Sequence, residues 1–142
     1  MKGKPTVAVD LDGVLAKYDG WKGVDHIGDP IYGAVEFTKR LSKWAHVTIF
    51  TTRLNCEVNK VPPHSIDDLY YKVLDWLKKH AFSFDEIYLG QGKPLAVAYI
   101  DDRAVPCTPQ REIITTDAFR GAEERAKELA KRESKETHKE DS

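Results

Sequence analysis

The chain has few cysteines, no long apolar run and almost no net charge, and each shortage excludes a class of protein. Among its 142 residues there are two cysteines, Cys56 and Cys107, far apart and without zinc-like spacing. Neither a disulfide framework nor a zinc module is indicated, and a reduced, cytoplasmic setting is the expectation. No apolar stretch approaches the roughly 20 residues of a membrane-spanning helix. Met1-Lys2-Gly3-Lys4-Pro5 leads straight into the first apolar run, so a secretory signal is not expected. A formal net charge of −1 argues against a general nucleic-acid coat or a membrane-surface protein, although a local basic groove is compatible with it. No internal repeat is visible. With 41% hydrophobic and 32% charged residues the composition is globular, and the length suits one domain with a real core.

Short apolar runs recur along the chain: Val7-Ala8-Val9, Val47-Thr48-Ile49-Phe50, Glu86-Ile87-Tyr88-Leu89, Ala96-Val97-Ala98-Tyr99-Ile100 and Glu112-Ile113-Ile114-Thr115. Such nearly unbroken runs are expected of parallel strands covered on both faces. Residues 33–44 read as a helix with Ala34, Phe37, Leu41 and Trp44 on one face. Residues 65–80 read as a second, opened by a Ser65–Asp68 capping pair and carrying Ile66, Leu69, Tyr70, Val73, Trp76 and Leu77 as its buried stripe. Alternating strands and helices predict an α/β fold: a three-layer, doubly wound, Rossmann-like parallel sheet of about five strands in the order 3-2-1-4-5. On this reading residues 1–120 form the core, with a flap at about 16–32. Residues 121–142, rich in Glu, Lys and Arg, form a charged helix and a solvated tail.

The sequence Asp10-Leu11-Asp12-Gly13 directly follows the first apolar run. Past a strand end the chain can turn two carboxylates toward one point, where one attacks an electrophile and the other handles protons. Two negative charges held together call for a nearby cation. Taken alone, the tetrapeptide is equally a strand followed by an Asp-Gly turn. The other predicted strand ends are also polar: Thr51-Thr52-Arg53 after the second, Gly90-Gln91-Gly92-Lys93-Pro94 after the third and Asp101-Asp102-Arg103 after the fourth. In open α/β sheets ligands sit outside these carboxyl ends, near the point where strand order reverses. The glycines before Lys93 lack the spacing of a nucleotide P-loop, and no Ser or Thr follows the lysine.

This order of motifs resembles the haloacid dehalogenase superfamily of phosphotransferases over roughly residues 5–115. Receiver domains of response regulators also use Asp, Thr and Lys, but a second acidic pair after Lys93 favours the first resemblance. It implies Asp10 as nucleophile, Asp12 as acid and base, Thr51 as a phosphate hydrogen-bond donor and Lys93 as a positive charge beside the transferred group. It further implies Mg2+, held by Asp10, the backbone carbonyl of Asp12, and Asp101 or Asp102. The short 16–32 segment leaves no room for a helical cap domain, so hydrolysis of a phosphomonoester through an aspartyl-phosphate is the expected reaction.

Arg53, Arg103 and Trp21 stand as candidate substrate contacts. Thr-Thr-Arg and Asp-Asp-Arg are similar to the phosphatase domains of polynucleotide kinase-phosphatases. The expected partner is thus a phosphorylated small molecule or a nucleotide or nucleic-acid end, with no membrane and with a second copy of the chain as one source of a cap. The alternatives are a nucleic-acid end-processing or nucleotide phosphatase and a non-catalytic phosphate-binding interaction module.

Overall fold

The computed structural model describes residues 3–90, 92–111 and 115–141. These fall into two compact units, residues 1–102 and 103–142. The first is built on a parallel sheet of four strands, β1 (Thr6–Asp10), β2 (His46–Phe50), β3 (Glu86–Ile87) and β4 (Ala98–Ile100). Helix α1 (Ala34–Leu41) links β1 to β2, and α2 (Ile66–Lys79) links β2 to β3. The strand order is β3-β2-β1-β4, the α/β Rossmann-like arrangement the alternating pattern predicts. The expected fifth strand falls mostly on residues 112–114, outside the described residues. Its last member, Thr115, begins a helix instead.

β1 and β2 form the centre because their middle residues have no polar face to leave in water. Val7, Ala8 and Val9 are buried, as are Val47, Thr48 and Ile49. Consecutive buried residues mean that both faces of the sheet are covered. The register pairs Asp10 with Phe50 and Val9 with Ile100, so the carboxyl ends of β1, β2 and β4 lie side by side. The chain steps outward from β1 through β2 to β3 and then returns to the other side of β1. The reversal between β1 and β4 is the crevice in which such sheets bind ligands.

Helix α1 differs from its sequence pattern. Its buried residues are Ala34, Thr38 and Leu41, while Phe37 is 37% and Trp44 56% exposed. Thr38 tolerates burial because its hydroxyl donates to the Val35 carbonyl at 2.9 Å and accepts from the Ser83 amide at 3.3 Å. Helix α2 buries Leu69, Val73, Trp76 and Leu77 as its periodicity predicts. Its start is not the expected capping pair: a 3₁₀ turn, Pro63–Ser65, leads into it, and Ser65 makes no side-chain cap.

Between β1 and α1 the chain forms a flap pinned at its base. Lys17 N–H donates to the Asp29 carbonyl and Ile31 N–H to the Leu15 carbonyl, both at 2.8 Å. From α2, the Trp76 indole donates to the Gly28 carbonyl at 3.1 Å, Lys72 pairs with Asp25, and the Trp76 ring stacks on Phe82. In the second unit a 3₁₀ turn, Pro109–Arg111, precedes α3 (Thr115–Asp141), whose surface carries the pairs Arg125–Glu128 and Lys127–Glu123. Among the described residues no helix is long and apolar enough to cross a membrane.

Trp76→Phe keeps the ring against Phe82 and removes the indole donor. The expected loss is about 1 kcal/mol of stability, the usual net worth of one hydrogen bond, read by urea denaturation.

Candidate active site

Three carboxylates converge at the crevice. One oxygen from each of Asp10, Asp101 and Asp102 lies within 4.8 Å of the others. Asp10 closes β1, and Asp101 follows the last residue of β4, so main-chain pairing itself brings them together. Burial, the Asp101 charge and, more weakly, Asp102 and Asp12 push the Asp10 carboxyl from its ordinary 3.8 up to about 7. A hydrogen bond from the Leu11 amide to Asp10 Oδ1, at 2.8 Å, acts in the opposite direction. All the donors are carboxylate oxygens, hard ligands that leave room for waters, and this set fits Mg2+.

Gly13 explains how Asp102 comes so near. Its φ is +86°, a left-handed conformation that side chains rarely adopt, and a Cβ there would fall on the Asp102 carboxylate, 2.8 Å from Cγ. The glycine therefore meets two demands: it turns the chain after Asp12 and leaves space for a carboxylate from another motif.

Asp12 lies outside the three-carboxylate group. Its Oδ2 accepts from Arg53 Nε at 2.6 Å and its Oδ1 from Arg53 Nη2 at 2.9 Å. This two-pronged pairing is the geometry in which guanidinium and carboxylate bind most strongly. Arg53 is 4% exposed, and its Nη2 also donates to the His26 carbonyl at 2.7 Å. The Trp21 ring, a candidate substrate contact in the sequence with packing as its alternative, has the Arg53 guanidinium carbon 4.9 Å from its centre.

Thr51 follows β2 with extended backbone and accepts a hydrogen bond from the Arg53 amide at 3.2 Å. It lines a cavity of about 610 Å³ with Phe50, Asn55, Cys56, Glu57 and Tyr88 among others. The loop forming one wall is organised by Asn59, whose amide nitrogen lies 2.8–2.9 Å from the carbonyls of Thr52, Arg53 and Asn55. Gly92 and Pro94, on either side of Lys93, also line the cavity. Lys93 is exposed, with its ammonium 4.2 Å from the Tyr99 ring centre, and the Tyr99 hydroxyl donates to the Pro94 carbonyl at 2.6 Å. Arg103, the remaining sequence candidate, opens the second unit and is exposed.

The site also relies on groups that sequence inspection passes over. The His26 contribution is a backbone carbonyl, invisible in residue type. Asn59 lies in a loop with no periodicity to mark it. A sequence signal for Gly13 did exist, since Asp-Gly after a strand marks a turn with positive φ. What it left hidden was the Asp102 carboxylate packed against it.

Asp10→Asn removes the central charge, and its effect on stability follows from linkage. A carboxyl with a raised folded-state pKa binds its proton more tightly folded than unfolded. Stability from this group is therefore greatest below pH 3.8, falls as pH rises to about 7, and is flat above. In chelator-treated protein at pH 8, Asp10→Asn is expected to gain about 2 kcal/mol, less than the full shift implies because the side chain is only partly buried. The gain disappears near pH 4, and denaturant titrations at the two pH values measure it. Gly13→Ala displaces Asp102 and strains the turn, at a cost of about 1–3 kcal/mol. Mg2+ is expected to raise the melting temperature of the wild-type chain, and Gly13→Ala to abolish that rise, as scanning calorimetry would record.

No protein-family model matches the chain, and no curated protein matches it either. Among solved structures it is similar to a structural-genomics target from Vibrio cholerae, with a TM-score of 0.50 and 23% identity over 84% of this chain and 98% of that one. It also aligns with a D,D-heptose 1.7-bisphosphate phosphatase from B. bronchiseptica, crystallised with magnesium and phosphate. There the TM-score is 0.41 and the identity 19% over 74% of this chain, which spans 56% of that protein. At this identity the Vibrio cholerae likeness is one of fold: both chains build the same kind of α/β sheet.

Proposed function

We propose that the chain is a Mg2+-dependent phosphomonoester hydrolase of the haloacid dehalogenase type. The observation that carries the reading is the group formed by Asp10, Asp101 and Asp102 at the β1–β4 reversal. Such a concentration of negative charge is unfavourable by itself and becomes favourable around a cation. The motif order in the sequence supports the same assignment.

In this mechanism Asp10 Oδ attacks phosphorus while the bond to the leaving alcohol oxygen breaks. Asp12 donates the proton that the alcohol takes. Water, deprotonated by Asp12, then cleaves the acyl phosphate, restoring Asp10 and releasing inorganic phosphate. Pairing with Arg53 leaves each Asp12 oxygen a further lone pair for this exchange. Mg2+, held by Asp10, the Asp12 carbonyl and Asp101 or Asp102, would supply positive charge against the carboxylates and the phosphate oxygens. Thr51 donates to a phosphate oxygen, and Lys93 adds a cation beside the transferred group.

The alcohol part of the substrate occupies the cavity beside Thr51. Its 610 Å³ lies within the range of small-molecule sites and is ample for a sugar or a nucleoside. Phe50 and Tyr88 offer apolar faces, while Asn55 and Glu57 offer polar groups for hydroxyls. A phosphorylated small molecule or nucleotide fits this description.

An aryl phosphate assay with and without Mg2+ tests the reading. Wild-type turnover is expected with Mg2+, none with chelator, and none in Asp10→Asn. Asp12→Ala is expected to lower kcat by about 10²–10⁴, the usual worth of general acid–base catalysis. Undiminished turnover in Asp10→Asn would exclude the mechanism. Binding of Mg2+ and phosphate without turnover on any phosphomonoester would instead assign a phosphate-binding interaction module.

A further inference from the structure

Arg53 stands in the sequence as a clamp for the substrate, yet its contacts lead back into the protein. Nε and Nη2 hold both oxygens of Asp12, Nη2 also reaches the His26 carbonyl, and the Trp21 ring stands over the guanidinium carbon. Asp12 lies just past β1, whereas His26 and Trp21 belong to the flap. Arg53 itself sits in the turn after β2, its main chain held by Thr51 and Asn59. One side chain thus joins the turn after β1, the turn after β2 and the flap.

The remaining nitrogen sharpens the point. Nη1 is buried and has no hydrogen-bond partner among the described residues. A buried donor without a partner is destabilising; an apolar side chain of similar size would escape that cost but would leave the Asp12 carboxylate unpaired. What an apolar side chain lacks is the means to grip Asp12 and the flap together.

We propose that Arg53 is a positioning residue that couples the flap to Asp12, so that the seating of the flap and the aim of the carboxylate change together. A planar fork with two parallel hydrogen bonds fixes the rotation of the carboxylate, which one point charge does not. Because Nη2 serves both Asp12 and His26, withdrawal of the flap pulls on the nitrogen that orients Asp12. Conversely, loss of the Asp12 carboxylate loosens the guanidinium against the flap. The coupling stands on these contacts; only its effect on turnover rests on the phosphatase reading.

Amide hydrogen exchange on the full chain, read by mass spectrometry, tests the coupling directly. The peptides to follow are residues 17–31 for the flap and 46–50 for the core. Asp12→Ala and Arg53→Ala are each expected to speed exchange in 17–31 by about tenfold, with Arg53→Lys between them and wild type and residues 46–50 unchanged as the control for folding. The Asp12 variant is decisive, since the hydrogen bonds of that side chain go to Arg53. Flap exchange at the wild-type rate in Asp12→Ala overturns the proposal. Should Arg53→Ala fail to fold, the lysine and Asp12 variants carry the test. With an aryl phosphate, Arg53→Lys is expected to lower kcat about tenfold while KM stays within about twofold. A raised KM with kcat unchanged makes Arg53 a substrate clamp and also overturns it. A wild-type protein without turnover counts against the phosphatase reading alone, and the exchange result then decides the coupling.

Discussion

Parallel pairing of β1 with β4 forces like charges together, and much else in the molecule answers that constraint. Val9 opposes Ile100, so the next positions along the two strands are Asp10 and Asp101. Their approach is set by main-chain hydrogen bonds and by the burial of Val7, Ala8 and Val9. The sheet tolerates the repulsion because the hydrophobic contacts and ladder bonds that fix the register outweigh it. Without a cation a proton relieves the burial of the Asp10 charge and, after it, the repulsion from Asp101, and the carboxyl raised to about 7 expresses both. Part of the stability of the sheet is thus held as affinity for positive charge at one point, as expected where a fold departs from its stability optimum at a functional site.

Asp12 shows how closely spaced residues of one type acquire different chemistry. Two positions separate it from Asp10, yet the turn at Gly13 carries its carboxylate to Arg53 and away from the acidic group. Asp10 is left among other carboxylates, and Asp12 faces a guanidinium. On the proposed reading, Asp10 can act as a nucleophile only once a cation offsets its acidic surroundings, while the guanidinium fixes the orientation of Asp12. Gly13 serves both halves of the arrangement by permitting the turn and by admitting Asp102.

Much of this was legible in the sequence because it rests on local pattern. The central strands follow from short apolar runs, and the α2 stripe of Leu69, Val73, Trp76 and Leu77 follows from helical periodicity. The gathering of Asp10, Asp101 and Asp102 follows from where polar residues stop those runs. The rest depends on contacts distant in sequence. Phe37 and Trp44 share a helical face with Leu41 in the sequence pattern, but the face that α1 buries runs along Ala34, Thr38 and Leu41, with the Thr38 hydroxyl satisfied by Val35 and Ser83. Ser65 stands at the N-cap position as its composition predicts, but the 3₁₀ turn from Pro63 runs through it and holds it in a helical conformation, so its side chain makes no cap. Arg53 has the composition of a phosphate clamp, and only the folded chain places Asp12 and the His26 carbonyl within its reach.

The flap is where these long-range contacts meet. A short segment without a helix or a long strand has little core of its own and would ordinarily be among the least stable parts of a domain. Here it is held from three sides: its base by Leu15 and Asp29 carbonyls, one loop by Trp76 from α2, and its inner side by Arg53 from the turn after β2. Leu15 and Ala16, at its root, are fully buried. Trp76 and Arg53 both belong to the β2–α2–β3 unit, so the flap, itself part of the β1–α1–β2 crossover, is tied to the neighbouring unit. The same Arg53 side chain holds Asp12, and β1–β4 pairing sets Asp10 beside Asp101, so the candidate site depends on contacts between elements distant in sequence rather than on any single loop.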